Sequence, residues 1–371
     1  MSQAEITYLL QQSTELTYDE WSVIGSSCQH IHKPRCDDTQ FLLILHLITL
    51  ISSGFNVLAI YSIFRKSAAN MGNLKRCLLN LQVWTALTDI MVALLVVPRF
   101  FFPVIGGKAL GLLVNLGISI PAQIYIGFGC CGGMIASVAV LFIQRHQSVV
   151  GFGHRLKLEN HSLVVVLAMN YALYVNMTLP AIFTAPEDQL ETKIQILKRE
   201  PCPPKDILHP NVYLLQTSLH LLFPYLVFLI IFVGAECGLL AFHCSWLLFF
   251  STLTQKLSRK TRRMQIKFLF ALFAQIAIPT TLCYAPIFYC VITTLIDHYW
   301  QFANDICVFI FATHGMISAI CLLLFYDSYR NHLLHIFCRV TVATPIVTIS
   351  ERTSRNSRKF SQFTSGKVIM N

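Results

Sequence analysis

Seven apolar segments, each long enough to cross a bilayer, divide this 371-residue chain. A helix needs about 20 apolar residues to span the ~30 Å hydrocarbon core of a membrane. The segments lie at residues 41–64, 77–98, 118–143, 162–184, 212–250, 266–296 and 303–326. Only 12% of all residues are charged, whereas soluble domains contain about 25%. The chain is therefore predicted to be an all-α membrane protein, a seven-transmembrane helix bundle.

The distribution of basic residues predicts how the chain threads the membrane. The connections after the first, third and fifth segments, together with the C-terminal region, carry 20 of the 28 Lys and Arg residues. Because cytoplasmic loops are enriched in Lys and Arg, this pattern predicts an N-terminus outside and a C-terminus in the cytoplasm. The same bias accounts for the net charge of +10. The basic residues are not interleaved with aromatic residues on a polar surface, so nucleic acid is not an expected partner.

The spans divide the chain into four predicted regions. Residues 1–40 are an extracellular N-terminal tail, 41–326 the bundle, 327–340 a short amphipathic helix and 341–371 a disordered cytoplasmic tail. Apolar residues recur at helical spacing in the third region, which is typical of a helix that lies on the inner leaflet. Cys338 in this helix is a candidate for palmitoylation, and an unmodified interfacial Cys is the alternative.

Three cysteines are predicted to face the outer compartment, which is oxidising. Cys202 lies in the connection between the fourth and fifth segments, and Cys28 and Cys36 lie in the N-terminal tail. A disulfide between Cys36 and Cys202 is predicted, with Cys28 as the other candidate partner and free thiols as the alternative.

Polar side chains inside the spans are functional candidates because they are costly in hydrocarbon. Asn56 in the first span and Asp89 in the second are predicted to face each other, either as an interhelical hydrogen bond or as a conformational switch that holds an ion or water. Arg145, at the inner end of the third span, is predicted to face the cytoplasm, where it binds a partner or anchors the helix. Glu236 in the fifth span is expected to pair with a basic residue.

The sixth span contains the sequence Cys283, Tyr284, Ala285 and Pro286. Pro286 is predicted to kink this helix, so that a ligand above the kink favours an opening of the inner ends of helices five and six. Four aromatic residues are candidates for the ligand pocket, with packing as the alternative: Tyr125, Tyr284, Phe288 and Tyr289. No folded outer domain is expected, so the ligand is predicted to be a small molecule.

Short motifs follow one another from the first span to the end of the seventh. They are Pro98, Pro103, Gly107 and Gly111 after the second span, Arg145, His146 and Gln147 after the third, Leu257, Ser258, Thr261, Gln265, Ala271, Leu272, Gln275 and Pro279 around the sixth, and His314, Ser318, Tyr329 and Arg330 around the seventh. In this order they resemble the nematode chemosensory serpentine receptors, class I and the related class H of the Str superfamily. The first inner loop departs from that pattern, with Lys66, Ser67 and Ala68 where Lys-Thr-Pro is common.

The resemblance implies a G-protein-coupled chemoreceptor of the odorant type, in the plasma membrane of sensory-neuron cilia. Its implied partners are a small-molecule ligand, a heterotrimeric G protein and the lipid bilayer. The residues then assigned to switching and G-protein coupling are Asn56, Asp89, Arg145, Pro286, Tyr329 and Arg330. Loss of G-protein signalling in Arg145→Ala, with surface expression kept, is expected of such a receptor.

Two other functions remain as alternatives. A small-solute transporter predicts two matching sets of broken helices, and the sequence shows no such symmetry. A membrane hydrolase predicts His and carboxylate ligands that converge on a metal ion, and the spacing of these residues gives no sign of it. The sequence therefore predicts no enzymatic activity, no cofactor and no metal site.

Overall fold

A computed structural model of the protein describes residues 37–67, 72–150, 154–199, 207, 209–216, 219–250 and 259–338. Seven long helices lie within these ranges. The helices that are long and apolar enough to cross a membrane, named the first to seventh span, are Asp38–Lys66, Gly72–Leu95, Ile120–Val149, Asn160–Phe183, Phe223–Phe250, Arg262–Leu295 and Gln301–Phe325. The prediction of a seven-span helical protein is confirmed.

Shorter elements connect and subdivide the spans. In chain order the elements are α1 Asp38–Lys66, α2 Gly72–Ile90, a π-helical turn Met91–Leu95, β1 Pro98–Phe101, β2 Val104–Ala109, α3 Leu112–Asn115, α4 Ile120–Val149, α5 Asn160–Val175, α6 Leu179–Phe183, α7 Gln189–Arg199, β3 Val212–Leu214, α8 Leu219–Phe250, α9 Arg259–Leu295, α10 Gln301–Phe325 and α11 Asp327–Cys338. The helix α11 follows the seventh span, as predicted.

The first span begins with a capping box. The Asp37 carboxylate accepts a hydrogen bond from the Gln40 N–H at 2.7 Å, and the Gln40 side chain accepts one from the Asp37 N–H at 3.4 Å. Such caps satisfy backbone donors that a helix start leaves without partners. The cap fixes where the polar tail ends and the span begins, three residues earlier than the apolar pattern indicated.

Several span boundaries differ from those read in the sequence. The fifth span was predicted from residue 212, but Val212–Leu214 form the strand β3 and the helix begins at Leu219. Hydropathy cannot separate a short buried strand from the start of an apolar helix. The second span ends before Pro98, which opens the strand β1. The helix of the sixth span begins at Arg259, so its first turns carry the basic residues that precede the apolar segment.

The outer connections fold into a small unit, here called the outer cap, made of β1, β2, β3 and α7. The strands form one antiparallel sheet in the order β1-β2-β3, with Gly107 opposite both Phe100 and Tyr213. A Cβ on Gly107 would lie 2.6 Å from the Arg99 carbonyl oxygen, so only glycine allows this register. Ile196 of α7 packs with Phe101 and Leu214 of the sheet. The sequence predicted no folded outer domain, and it gave no indication of this small sheet within the outer connections.

The third span lies at the centre of the bundle and packs against the second, fourth and fifth spans. Its glycines allow close packing: a Cβ on Gly132 would lie 2.0 Å from the Tyr174 carbonyl oxygen of the fourth span. Large apolar side chains on the outer faces of the spans are exposed, as a surrounding lipid phase requires.

Candidate functional site

A network of polar side chains lies in the middle of the bundle around Asp89 of the second span. The Ser52 hydroxyl donates to Asp89 Oδ2 at 2.5 Å, and the Asn56 amide donates to the same oxygen at 2.8 Å. The Gln82 amide in turn donates to Asn56 Oδ1 at 2.6 Å. All four side chains are buried. Asn56 and Asp89 therefore do face each other, and they join the first span to the second.

The seventh span completes this polar network. His314 Nδ1 lies 3.5 Å from Asp89 Oδ1 and 2.7 Å from the Phe311 carbonyl oxygen. His314 Nε2 lies 3.2 Å from the Met134 sulfur of the third span. Gly315 of the seventh span lies directly against the Asp89 carboxylate. The carboxylate is thus the point where the first, second and seventh spans meet, so a shift of one span changes the contacts of the others.

Gly315 makes room for the Asp89 carboxylate. A Cβ at this position would lie 2.1 Å from Asp89 Oδ2, which is shorter than any allowed contact distance. We expect Gly315→Ala to displace the carboxylate, to lower the free energy of unfolding by about 1–3 kcal/mol as overpacking does, and to impair signalling. Denaturation of the purified receptor in detergent and a G-protein activation assay measure the two effects.

Gly54 of the first span provides the matched control for that substitution. It is also a helical glycine, but a Cβ built on it meets nothing within 4 Å. Gly54→Ala is expected to leave stability unchanged or slightly higher, since alanine favours a helix over glycine. Equal losses in the two variants would contradict the role assigned to Gly315.

Arg145 joins the third and sixth spans at the inner end of the bundle. The guanidinium does not face the cytoplasm as predicted, because its side chain is 7% exposed and turned toward the sixth span. There it donates to the Gln265 backbone carbonyl at 2.5 Å. Its Cζ also lies 5.9 Å from the centre of the Phe268 ring. We call this contact between the third and sixth spans the inner latch.

Tyr326, at the end of the seventh span, packs against the same group of residues. Its ring centre lies 6.3 Å from that of Phe268 and 5.6 Å from that of Tyr329. The Tyr326 side chain is buried. The hydroxyl of Tyr329 lies 2.8 Å from Ser67 Oγ at the end of the first span, whereas Arg330 binds Asp327 at 2.6 Å. Arg145 and Tyr329 thus lie at inner helix contacts, and Arg330 lies in an exposed ion pair.

A second charged cluster ties the outer cap to the bundle. Arg99 of β1 forms two hydrogen bonds with Asp305 of the seventh span, at 3.0 and 2.7 Å. It also binds Asp38 of the first span at 2.6 Å, and Lys108 of β2 binds the other oxygen of Asp38 at 2.6 Å. Burial alone lowers the pKa of Arg99, but Asp305 and then Asp38 outweigh it and raise the pKa above its ordinary value. Arg99 therefore stays charged and clamps the outer ends of the first and seventh spans.

The four candidate ligand contacts lie in different surroundings. Tyr125 donates to the Asn176 side chain at 2.8 Å and Tyr289 to the Trp300 carbonyl oxygen at 3.4 Å. Tyr284 is partly buried between spans, and Phe288 is 65% exposed on the outer surface of the sixth span. Pro286 is buried in the same helix. Tyr125 and Tyr284 therefore remain better candidates than Phe288 for contact with a ligand inside the bundle.

Some predicted site residues cannot be placed. Cys28, Cys36 and Cys202 lie outside the described residues, so the disulfide stays a prediction. Cys338 is the last residue of α11, but its side chain is not described. Within the described ranges, no three His, Cys, Asp or Glu side chains are arranged to hold a metal ion.

Sequence reasoning missed the outer charged cluster and the acceptor of the inner latch. Asp38, Arg99, Lys108 and Asp305 are outer-end charges by the predicted topology, which was a usable signal. The acceptor for Arg145 is a backbone carbonyl, and a sequence gives no signal for that. Among the described residues, Glu236 forms no ion pair with a basic residue. Its carboxylate instead accepts a hydrogen bond from the Tyr174 hydroxyl at 2.5 Å.

Comparison with known proteins gives a consistent picture. The family model described as "Serpentine type 7TM GPCR chemoreceptor Srh" matches residues 37–339. Serpentine receptor class H-72 of Caenorhabditis elegans is 26% identical over 317 residues, which are 82% of this chain and 88% of that protein. The crystal structure of squid rhodopsin superposes with a TM-score of 0.52 over 89% of this chain and 91% of that one. Its sequence identity is 11%, so this similarity shows the fold alone.

Proposed function

Because the chain belongs to the family of serpentine type 7TM GPCR chemoreceptors called Srh, we propose that it binds a small molecule in the outer half of its bundle and transmits this event to a heterotrimeric G protein. Of the two classes that the sequence resembled, the family match is to class H. The chain is thus a multi-pass membrane receptor and not an enzyme.

The inner latch is the observation that carries the proposal. A G protein needs a crevice between the inner helix ends, and Arg145 binds the Gln265 carbonyl across that place. In this proposal the contact belongs to a closed state, in which the third and sixth spans are tied together. A ligand that binds the open state more tightly shifts the population toward it. For a resting ratio of 1:99, nearly complete activation needs about 5.5 kcal/mol of differential binding.

The distribution of contacts supports a movement of the sixth span. The outer ends of the first and seventh spans are fixed to the outer cap by Arg99, and their middle parts meet at Asp89. The sixth span contains Pro279 and Pro286, and a proline removes a backbone hydrogen bond from a helix. A bend at these prolines moves the inner end of the sixth span while the clamped helices stay in place.

Expression of the full chain with a panel of Gα subunits tests the proposal, with volatile and water-soluble odorants as the screened compounds. At least one pairing is expected to give compound-dependent nucleotide exchange on Gα. Cells that express the Gly315→Ala variant at the same surface level are the control for non-specific effects. A compound-driven ion current or solute flux that persists without any G protein would contradict the proposal and favour the transporter.

The orientation and location belong to the same proposal. With the C-terminus in the cytoplasm, an epitope attached after Asn371 is expected to bind antibody only in permeabilised cells. Accumulation in the cilia of sensory neurons is the expected location of the tagged receptor. Antibody binding to intact cells would overturn the orientation.

A further inference from the structure

A carboxylate lies half-way along the fifth span without a basic partner among the described residues. Glu236 is near the middle of the fifth span, Phe223–Phe250, about 20 Å along the helix from either end. The described ion pairs all involve other residues. An acidic group at such a depth is costly and usually faces an ion or ligand path.

The hydrogen bond of Glu236 leaves one carboxylate oxygen available. The Tyr174 hydroxyl donates to Oε2, and Tyr174 is completely buried in the fourth span. Glu236 itself is partly accessible. The hydrogen bond therefore orients the carboxylate, and no described basic side chain lies beside it.

Two aromatic rings of the fifth span lie on the same helix face as this carboxylate, toward its outer side. Phe232 lies one helical turn before Glu236 on the same face, and its ring centre is 6.2 Å from that of Tyr174. The ring of Phe228 stacks on that of Phe232 at 5.9 Å. The next residue, Cys237, packs beside Tyr174 and lies near Tyr284 of the sixth span. The carboxylate thus adjoins the interface between the fourth, fifth and sixth spans.

A carboxylate beside aromatic rings matches the chemistry of an organic ammonium ion. The negative charge pairs with the cation, and the faces of the rings attract it further. We propose that Glu236 is the counter-ion for a small cationic ligand, an amine or quaternary ammonium compound, and that Tyr174 positions its carboxylate. This inference rests on the proposed receptor function and names the class of ligand.

Three matched pairs of compounds test the inference on the purified full-length receptor in detergent: phenethylamine and phenethyl alcohol, cyclohexylamine and cyclohexanol, and hexylamine and hexanol. Binding is measured as a ligand-dependent rise in the unfolding temperature, which needs no G protein. In the wild-type receptor at least one amine is expected to bind more tightly than its alcohol. If no amine binds, or if the alcohols bind as tightly, the inference is overturned.

Two variants separate a counter-ion from a structural hydrogen bond. Glu236→Gln keeps the size and the acceptor but removes the charge, so the Kd of the amine is expected to rise about 100-fold. Tyr174→Phe removes the hydrogen bond but keeps the charge, so the preference for the amine over its alcohol is expected to persist. Unchanged amine binding in Glu236→Gln would overturn the inference, as would a loss of the preference in Tyr174→Phe alone. The wild-type comparison decides the matter should Glu236→Gln fail to fold.

Nucleotide exchange on Gα, measured in parallel, distinguishes this inference from the proposed function. Amine binding that depends on Glu236 but activates no G protein supports the ligand class and contradicts the coupling. Activation by neutral compounds alone supports the coupling and overturns the ligand class.

Discussion

Replacing Arg145 with alanine is expected to open the inner end of the bundle without ligand and to abolish G-protein activation. The substitution removes the hydrogen bond between the guanidinium and the Gln265 carbonyl, together with the contact to the Phe268 ring. A hydrogen bond of a charged group contributes about 1.5–3 kcal/mol, so its loss shifts the balance toward the open state about tenfold to a hundredfold. The same substitution removes the positive charge that we assign to G-protein contact.

Spin labels report the opening independently of any G protein. Ser148 and Arg263 are exposed at the inner ends of the third and sixth spans, and labels at these two positions give the distance between the helices. Without ligand, Arg145→Ala is expected to lengthen the distance by several ångströms for part of the population. Arg145→Lys is the control, because an ammonium keeps the charge and one donor for the carbonyl. An unchanged distance in Arg145→Ala would contradict the inner latch.

Replacing Arg99 with methionine is expected to cause the largest loss of stability. The substitution leaves the Asp305 carboxylate, whose side chain is 2% exposed, without its bidentate partner. Removal of one member of a buried ion pair costs about 3–5 kcal/mol because the other charge remains buried. We expect a loss of this size in the free energy of unfolding, with most of the protein retained inside the cell. Denaturation in mixed micelles and surface labelling measure the two effects.

Two further variants show whether the buried charge is the cause. In Arg99→Met combined with Asp305→Asn no carboxylate is left alone, so more than half of the lost stability is expected to return. Lys108→Met breaks the pair with Asp38, which is 35% exposed, so water screens the charge that remains. Its expected cost is about 1 kcal/mol or less. Equal losses in Lys108→Met and Arg99→Met would argue against the clamp assigned to Arg99.

The architecture of the bundle could be predicted because hydrocarbon restricts the choices available to a chain. Every backbone polar group must be satisfied within its own segment, so an apolar segment of sufficient length becomes a helix. The outer cap escaped prediction in part because β3 pairs with a strand that is distant in the chain. Lys108 of β2 lies opposite Val212 of β3, for instance, and no local pattern links the two.

The candidate site was predictable only in part. Asn56 and Asp89 were found because a polar side chain in hydrocarbon needs a partner, and each was the natural partner of the other. The contacts that His314 and Gly315 make with Asp89 depend on the rotation of the seventh span about its axis. A pattern of apolar residues that is nearly uniform around a helix does not set that rotation.

The sequence by itself determined the seven spans and their expected orientation, because hydrophobic length and the position of basic residues act locally at each span. The order of its motifs also indicated the nematode serpentine receptors, with class I and class H left open. Only the tertiary structure decided that Arg145 turns inward to the Gln265 carbonyl, that Arg99 clamps two spans to the outer cap, and that Glu236 meets Tyr174. These contacts arise from the packing and rotation of helices, so they join groups that no spacing along the chain connects.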